Sequence, residues 1–151
     1  MNALHCAKFQ QVIAPVAIVD NASWTTAEID TLGYNYATII VNIGATDIAM
    51  AALKVQESDT SGSGFADISG ADCDGGTDID GSTAALPSAT DDNNVVVFQV
   101  NLRGRKRYLD LVATAGNGAA GTFASAVVVL SDSDVQPESV SDTGAETLIR
   151  V

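Results

Sequence analysis

The sequence predicts an all-β domain, a sandwich or a barrel, and three observations carry that prediction. Residues 36–43, 51–56, 95–102, 108–113 and 126–130 form short runs dominated by Val, Ile, Leu and Ala. Clusters of Gly, Asn, Asp and Ser separate them, the punctuation of many short strands. Hydrophobic residues make up 46% of the chain but aromatics only 5%, so the core must be aliphatic. At 151 residues the chain suffices for one domain with a sizeable core.

Taken in order, residues 9–19 alternate loosely around Pro15. Proline cannot donate to a ladder, so this run belongs at a sheet edge or breaks there. Residues 26–32 are the one helix candidate. Thr25 with Glu28 reads as a capping box and Gly33 as a left-handed exit. Such a short helix would plug one end of the sandwich, with Trp24 before it as a core anchor. Residues 36–43 are apolar almost without interruption, which predicts a central strand covered on both faces. After a turn at 44–47, residues 51–56 return with Leu53 and Val55 inward.

Residues 58–94 differ in kind: 37 positions hold no Lys or Arg, eight Asp, and twelve Gly or Ser. Structureless loops longer than about 15 residues are uncommon in compact domains. A short strand is therefore expected at 65–68, leaving 70–94 as an excursion that is mobile or ordered only by a neighbour. Residues 95–102 then alternate cleanly, with Val96, Phe98, Val100 and Leu102 on one face. A basic turn and residues 108–113, with Leu109, Leu111 and Ala113 inward, complete an expected hairpin. A Gly-rich turn at 116–121 leads into 126–130. The whole is expected to be a single β-sandwich domain over 1–151, with 1–11 and 131–151 as extended arms and 58–94 as a long Gly/Ser/Asp loop.

The formal charge is −12, from seven Lys and Arg against nineteen Asp and Glu. Such a surface repels nucleic acid and anionic membrane, so neither is expected as a partner. No apolar run approaches the roughly 20 residues that span a bilayer. Residues 1–10 lack a basic region followed by an apolar stretch, which predicts synthesis in a cytosol. Cys6 and Cys73 are too few for a disulfide framework and read as reduced thiols.

Four motifs could carry chemistry. Residues 116–121 match the dinucleotide fingerprint GxGxxG, but the exit is β-branched and short where the fingerprint requires a helix. Asp72, Asp74, Asp78 and Asp80, interleaved with Gly75, Gly76 and Gly81, invite an irregular calcium site, since calcium takes six to eight oxygens. EF-hand spacing fails: counted from Asp78, Thr83 and Ala89 stand where Gly and Glu belong. A solvated acidic loop is the other reading, and no cofactor is otherwise expected. Arg103, Arg105, Lys106 and Arg107 crowd one turn of an acidic protein, as solvated edge charges, as partners for a neighbouring chain or, least in keeping with the overall field, as a nucleic-acid contact. His5 beside Cys6 lacks the defined pocket a nucleophile and base need, and no catalytic residue or enzyme activity is expected.

Two stretches add a resemblance. Thr31-Leu32-Gly33-Tyr34-Asn35-Tyr36-Ala37-Thr38-Ile39-Ile40-Val41, continuing to Leu53-Lys54-Val55-Gln56-Glu57-Ser58-Asp59, is one. Arg105-Lys106-Arg107-Tyr108-Leu109-Asp110-Leu111-Val112-Ala113-Thr114, with the Gly-rich turn and the run to Leu130, is the other. Together they resemble the decoration, cement or head-stabilising proteins of tailed bacteriophages, over about two-thirds of the chain. The resemblance implies a jelly-roll-like antiparallel β-sandwich, here with one short helix and a long acidic loop. It also implies a non-enzymatic virion structural protein made in the host cytoplasm and placed on the capsid exterior. Its partners would be the major capsid protein and copies of itself, as a dimer or trimer. Expected contacts are residues 1–11, the turn Arg103, Arg105, Lys106 and Arg107, and the apolar terminus Leu148, Ile149 and Val151. Two alternatives remain open: a carbohydrate- or ligand-binding β-sandwich module using exposed aromatics, and a tail or baseplate accessory protein.

Overall fold

A computed structural model of the chain describes residues 6–135, 137 and 139–149. Among these residues it has eight strands: β1 (Lys8–Ile13), β2 (Ile29–Asp30), β3 (Tyr34–Thr46), β4 (Ala52–Ser58), β5 (Ala66–Asp72), β6 (Val95–Asn101), β7 (Tyr108–Thr114) and β8 (Thr122–Ser133). They pair antiparallel as β1 with β8, β2 with β7, β3 with β6 and β4 with β5. The chain is thus one long hairpin with its tip between β4 and β5. Rolling that hairpin brings β8 against β3 and β7 against β4. Two four-stranded sheets result, β1-β8-β3-β6 and β2-β7-β4-β5, the double-sheet order of a jelly roll.

Period-two alternation drives the layering, because it puts every second side chain between the sheets. Ala37, Ile39, Val41 and Ile43 from β3 meet Leu53 and Val55 from β4, Leu109, Leu111 and Ala113 from β7, and Ala126, Val128 and Leu130 from β8 in one buried cluster. Trp24 is buried with them, as an anchor should be, although its Nε1 has no partner among the described residues. Thr46 and Thr122, both buried, share a 2.6 Å hydroxyl contact where β3 and β8 lose register.

Several expectations need correction. Residues 26–32 are not helical: the segment runs extended into β2, and its backbone donors serve neighbours. Ala27 N–H donates to the Val12 carbonyl at 2.9 Å and Thr31 N–H to that of Arg107 at 3.1 Å. The capping-box Glu28 instead accepts from Ser61 Oγ and Gly62 N–H, both at 2.7 Å. Tertiary partners outbid a two-turn helix, which is marginal alone. The helix that does form, α1, is Val140–Thr143, capped by Ser139 and ended by Gly144 at φ 71°.

The expected hairpin of 95–102 with 108–113 does not form. β6 pairs with β3 and β7 with β4 and β2, so the basic turn carries the chain from one sheet to the other. Alternation lines a strand up with its core and cannot say whether the next strand lies beside it or across from it. β3 is central in its sheet but covered on one face only, since Asn42 is exposed and Thr38 and Ile40 are half-buried.

The acidic stretch is largely ordered by the chain itself. β5 is longer than the expected 65–68, and residues 75–84 form a small antiparallel loop closed by Ala84 N–H to the Gly76 carbonyl at 2.8 Å. Met50 N–H then ties down the Pro87 carbonyl at 2.8 Å. At both ends the expected arms shrink, because Lys8–Ile13 and residues 131–133 are sheet.

Candidate interaction surface

The basic turn between β6 and β7 is the first expected contact, and most of its charge is already used. Arg107 grips Asp30 of β2 through both ends of its guanidinium, Nε to Oδ1 at 2.8 Å and Nη2 to Oδ2 at 2.7 Å, and lies over the Tyr108 ring at 4.9 Å. A bidentate pair of this kind is charge-assisted and directional. The Arg107 hydrogen bond holds the Asp30 carboxyl below the usual carboxylate range, against the opposing effect of partial burial. Arg105 Nη1 sits 3.4 Å from Glu57 Oε1, and Lys106 Nζ 4.0 Å from Asp59 Oδ2. Among the described residues Arg103 is engaged through its backbone, its N–H donating to Asn101 Oδ1 at 3.1 Å. Arg103 alone of the four has no ion pair among the described residues.

The Gly-rich turn after β7 is an anion cradle filled from within. Ala119 and Ala120 N–H donate to Asp47 Oδ2 at 2.5 and 2.6 Å, and Gly118 N–H donates to Asp20 Oδ1 at 3.1 Å. The backbone donor of Ala120 leads those that hold the Asp47 carboxyl below its ordinary range. A Cβ at position 118 would collide with that carboxylate, which explains one glycine of the fingerprint. The donors a pyrophosphate would need are taken by the protein's own side chain.

Asp72, Asp74, Asp78 and Asp80 lie at the end of β5 and in the loop after it. Among the described residues no three acidic, His or Cys side chains come together in a way that could hold a metal ion. Asp72 Oδ1 accepts from Asp74 N–H and Asp80 Oδ1 from Ser82 N–H, each at 2.8 Å. These bonds turn the backbone locally. At the tip Ile79 is 98% exposed. Cys73 is a free thiol pushed up to about 11, first by burial and then by Asp72 and Asp78, so it resists ionisation. His5 and Val151 lie outside the described residues. Leu148 is half-buried and Ile149 is 81% exposed.

One feature escaped the sequence reading: the free edge of β6 and the outer face beside it. Across the sheet, Val127, Ile40 and Val97 stand in one row on the side away from the core. Val95 and Val97 are 59% and 46% exposed. A shallow pocket of about 380 Å³ on the same sheet is lined in part by Tyr36, Thr38, Gln99, Asn101 and Ser131. A second groove, about 910 Å³, follows the whole length of β6 and is shared with β5 and the acidic loop. The available signal was compositional, for Val95–Asn101 carries no charge in a chain of net charge −12. Among the described residues no helix is long and apolar enough to cross a membrane. Compared with known proteins, the chain matches no family model and no curated sequence.

Proposed function

We propose that the chain is a non-enzymatic virion structural protein, a decoration or cement subunit that binds the outside of a phage head and stabilises contacts between capsomers. The observation that carries this reading is the strand order β1-β8-β3-β6 over β2-β7-β4-β5, the rolled architecture shared by viral capsid domains. The likeness of residues 31–59 and 105–130 to phage head-stabilising proteins points the same way. The physics suits the task. A cement must transmit load without deforming, and here the corners between sheets are tied by ion pairs and backbone hydrogen bonds. An acidic exterior keeps the free subunit from sticking to nucleic acid. The proposed partners are the major capsid protein and further copies of the chain, with Arg103 and the apolar terminus around Ile149 as contacts.

The test is direct: purified chain is added to heads of the same phage that lack it, followed by imaging and capsid melting. Saturable, symmetric density outside the shell with a raised melting temperature is the expected result. No density at saturating protein overturns the reading.

A carbohydrate-binding module is the second reading, favoured by the shallow pocket that sets Tyr36 beside Gln99, Asn101 and Ser131. An aromatic with amide and hydroxyl groups suits a sugar face and its hydroxyls. A glycan-array hit abolished by Tyr36→Ala would put this reading first.

A further inference from the structure

We propose that β6 is the dimerisation edge of this protein, pairing antiparallel with β6 of a second copy to make one continuous eight-stranded sheet. Ladder geometry determines which backbone groups are available. Ile43 N–H donates to the Asn94 carbonyl at 3.0 Å and Leu102 N–H to that of Asn35 at 2.9 Å. Antiparallel pairing alternates, so residues 94, 96, 98, 100 and 102 direct their backbone groups at β3. Val95, Val97, Gln99 and Asn101 direct theirs outward, where no described residue bonds to them. A groove of about 910 Å³ runs along this side of β6, with β5 and residues 77–79 and 84–85 of the acidic loop as its other wall.

Charge selects the occupant. Asp91 and Asp92 precede β6, and Arg103 and Arg105 follow it. An added antiparallel strand starts beside the basic end and finishes beside the acidic end. It should therefore be preceded by acid, followed by base, and uncharged between. β6 itself meets that description, so the edge is complementary to a second copy of itself, as a two-fold interface requires.

With the axis at Phe98, Val97 lies opposite the second copy's Gln99 and Val95 opposite its Asn101. All four outward positions on each strand are then closed. Arg103 falls beside the second copy's Asn93, within reach of its Asp91 and Asp92. Those carboxylates already accept from Ser88 and Thr46 and retain acceptor capacity. The other edge of this groove is unsuitable: β5 carries Asp67 and Asp72, a break in register and Gly70 at φ 85°.

This pairing stands apart from the cement reading, since a chain without affinity for capsids can dimerise and a capsid-binding monomer refutes only the pairing. The experiment is sedimentation equilibrium on the full chain from micromolar to about 100 micromolar, with amide exchange in parallel. The expected mass is twice 15.5 kDa, with slowed exchange at Val95, Val97, Gln99 and Asn101. Arg103→Glu, on an exposed turn, should weaken the dimer at least about tenfold at low salt and recover part of that loss at high salt. Gln99→Pro removes only an outward N–H and should leave a folded monomer; should it unfold, Arg103→Glu and the exchange data decide. Leu32→Lys, exposed on the turn after β2, should change nothing. A monomer throughout, a trimer, a dimer indifferent to Arg103→Glu, or freely exchanging outward amides would overturn the proposal.

Discussion

β1 and β6 are the two edges of one sheet, and the chain treats them in opposite ways. β1 is short of exposed backbone. Ala27 N–H takes the Val12 carbonyl, Gln10 Nε2 reaches the Glu28 carbonyl at 2.8 Å, and the turn at Gly144 packs onto the carbonyl of Phe9. Pro15 follows shortly after, where the strand has already ended. β6 is bonded to β3 on one side, and on the other no described residue bonds to its backbone. It is seven residues long with no charge and no proline, and only a groove separates it from β5 and the acidic loop. An edge of that kind is a template for another strand, and soluble proteins ordinarily blunt it. Protection at β1 is therefore structural, whereas exposure at β6 is available for assembly.

Four substitutions test this contrast, and the largest effect belongs to the covered edge. Gly144→Val places a β-branched residue at φ 71° with its Cβ against the Phe9 carbonyl, and should cost about 2–3 kcal/mol in urea unfolding. Faster exchange in β1 should accompany the loss; an unchanged midpoint would mean that the tail covers nothing. Gln10→Ala removes a half-buried bond to the same edge and should cost about 1 kcal/mol.

The short edge β2 depends on the exposed Arg107–Asp30 pair, so Asp30→Asn should cost under about 1 kcal/mol at neutral pH. Because folding lowers the Asp30 pKa, the pair's contribution is complete above the unfolded value of about 3.9 and is lost as pH falls through the folded value. The gap in unfolding midpoint between wild type and Asp30→Asn at pH 7 should therefore narrow as the pH is lowered to 3. The smallest effect on stability is expected at the open edge. Val97→Lys should stay within about 0.5 kcal/mol of wild type while weakening self-association, read by light scattering.

Strands were easy to read from the residues. Val96, Phe98, Val100 and Leu102 lean inward as their alternation required, and so do Leu109, Leu111 and Ala113. The helix was misread because Thr25, Glu28 and Gly33 are individually good cap residues. In the fold Glu28 is instead recruited by Ser61 and Gly62, more than thirty positions away. The basic turn was legible, but its internal pairing with Asp30, Glu57 and Asp59 was invisible, since those partners lie 47 or more positions upstream. The missing helix after the Gly-rich turn was legible in the sequence, yet only the fold revealed Asp47 in the cradle.

By itself, then, the chain determined that it would be β, which side chains would be buried, and where the turns would fall. Each of these follows from the local period of two and from the backbone freedom of Gly, Asn and Asp. Only the tertiary structure decided that β6 and β7 part company, that β1 is sealed, and that β6 is left open. Strand partnership is a choice among edges that present the same hydrogen-bonding groups. It is settled by how the rolled hairpin closes its core, not by anything a single strand carries.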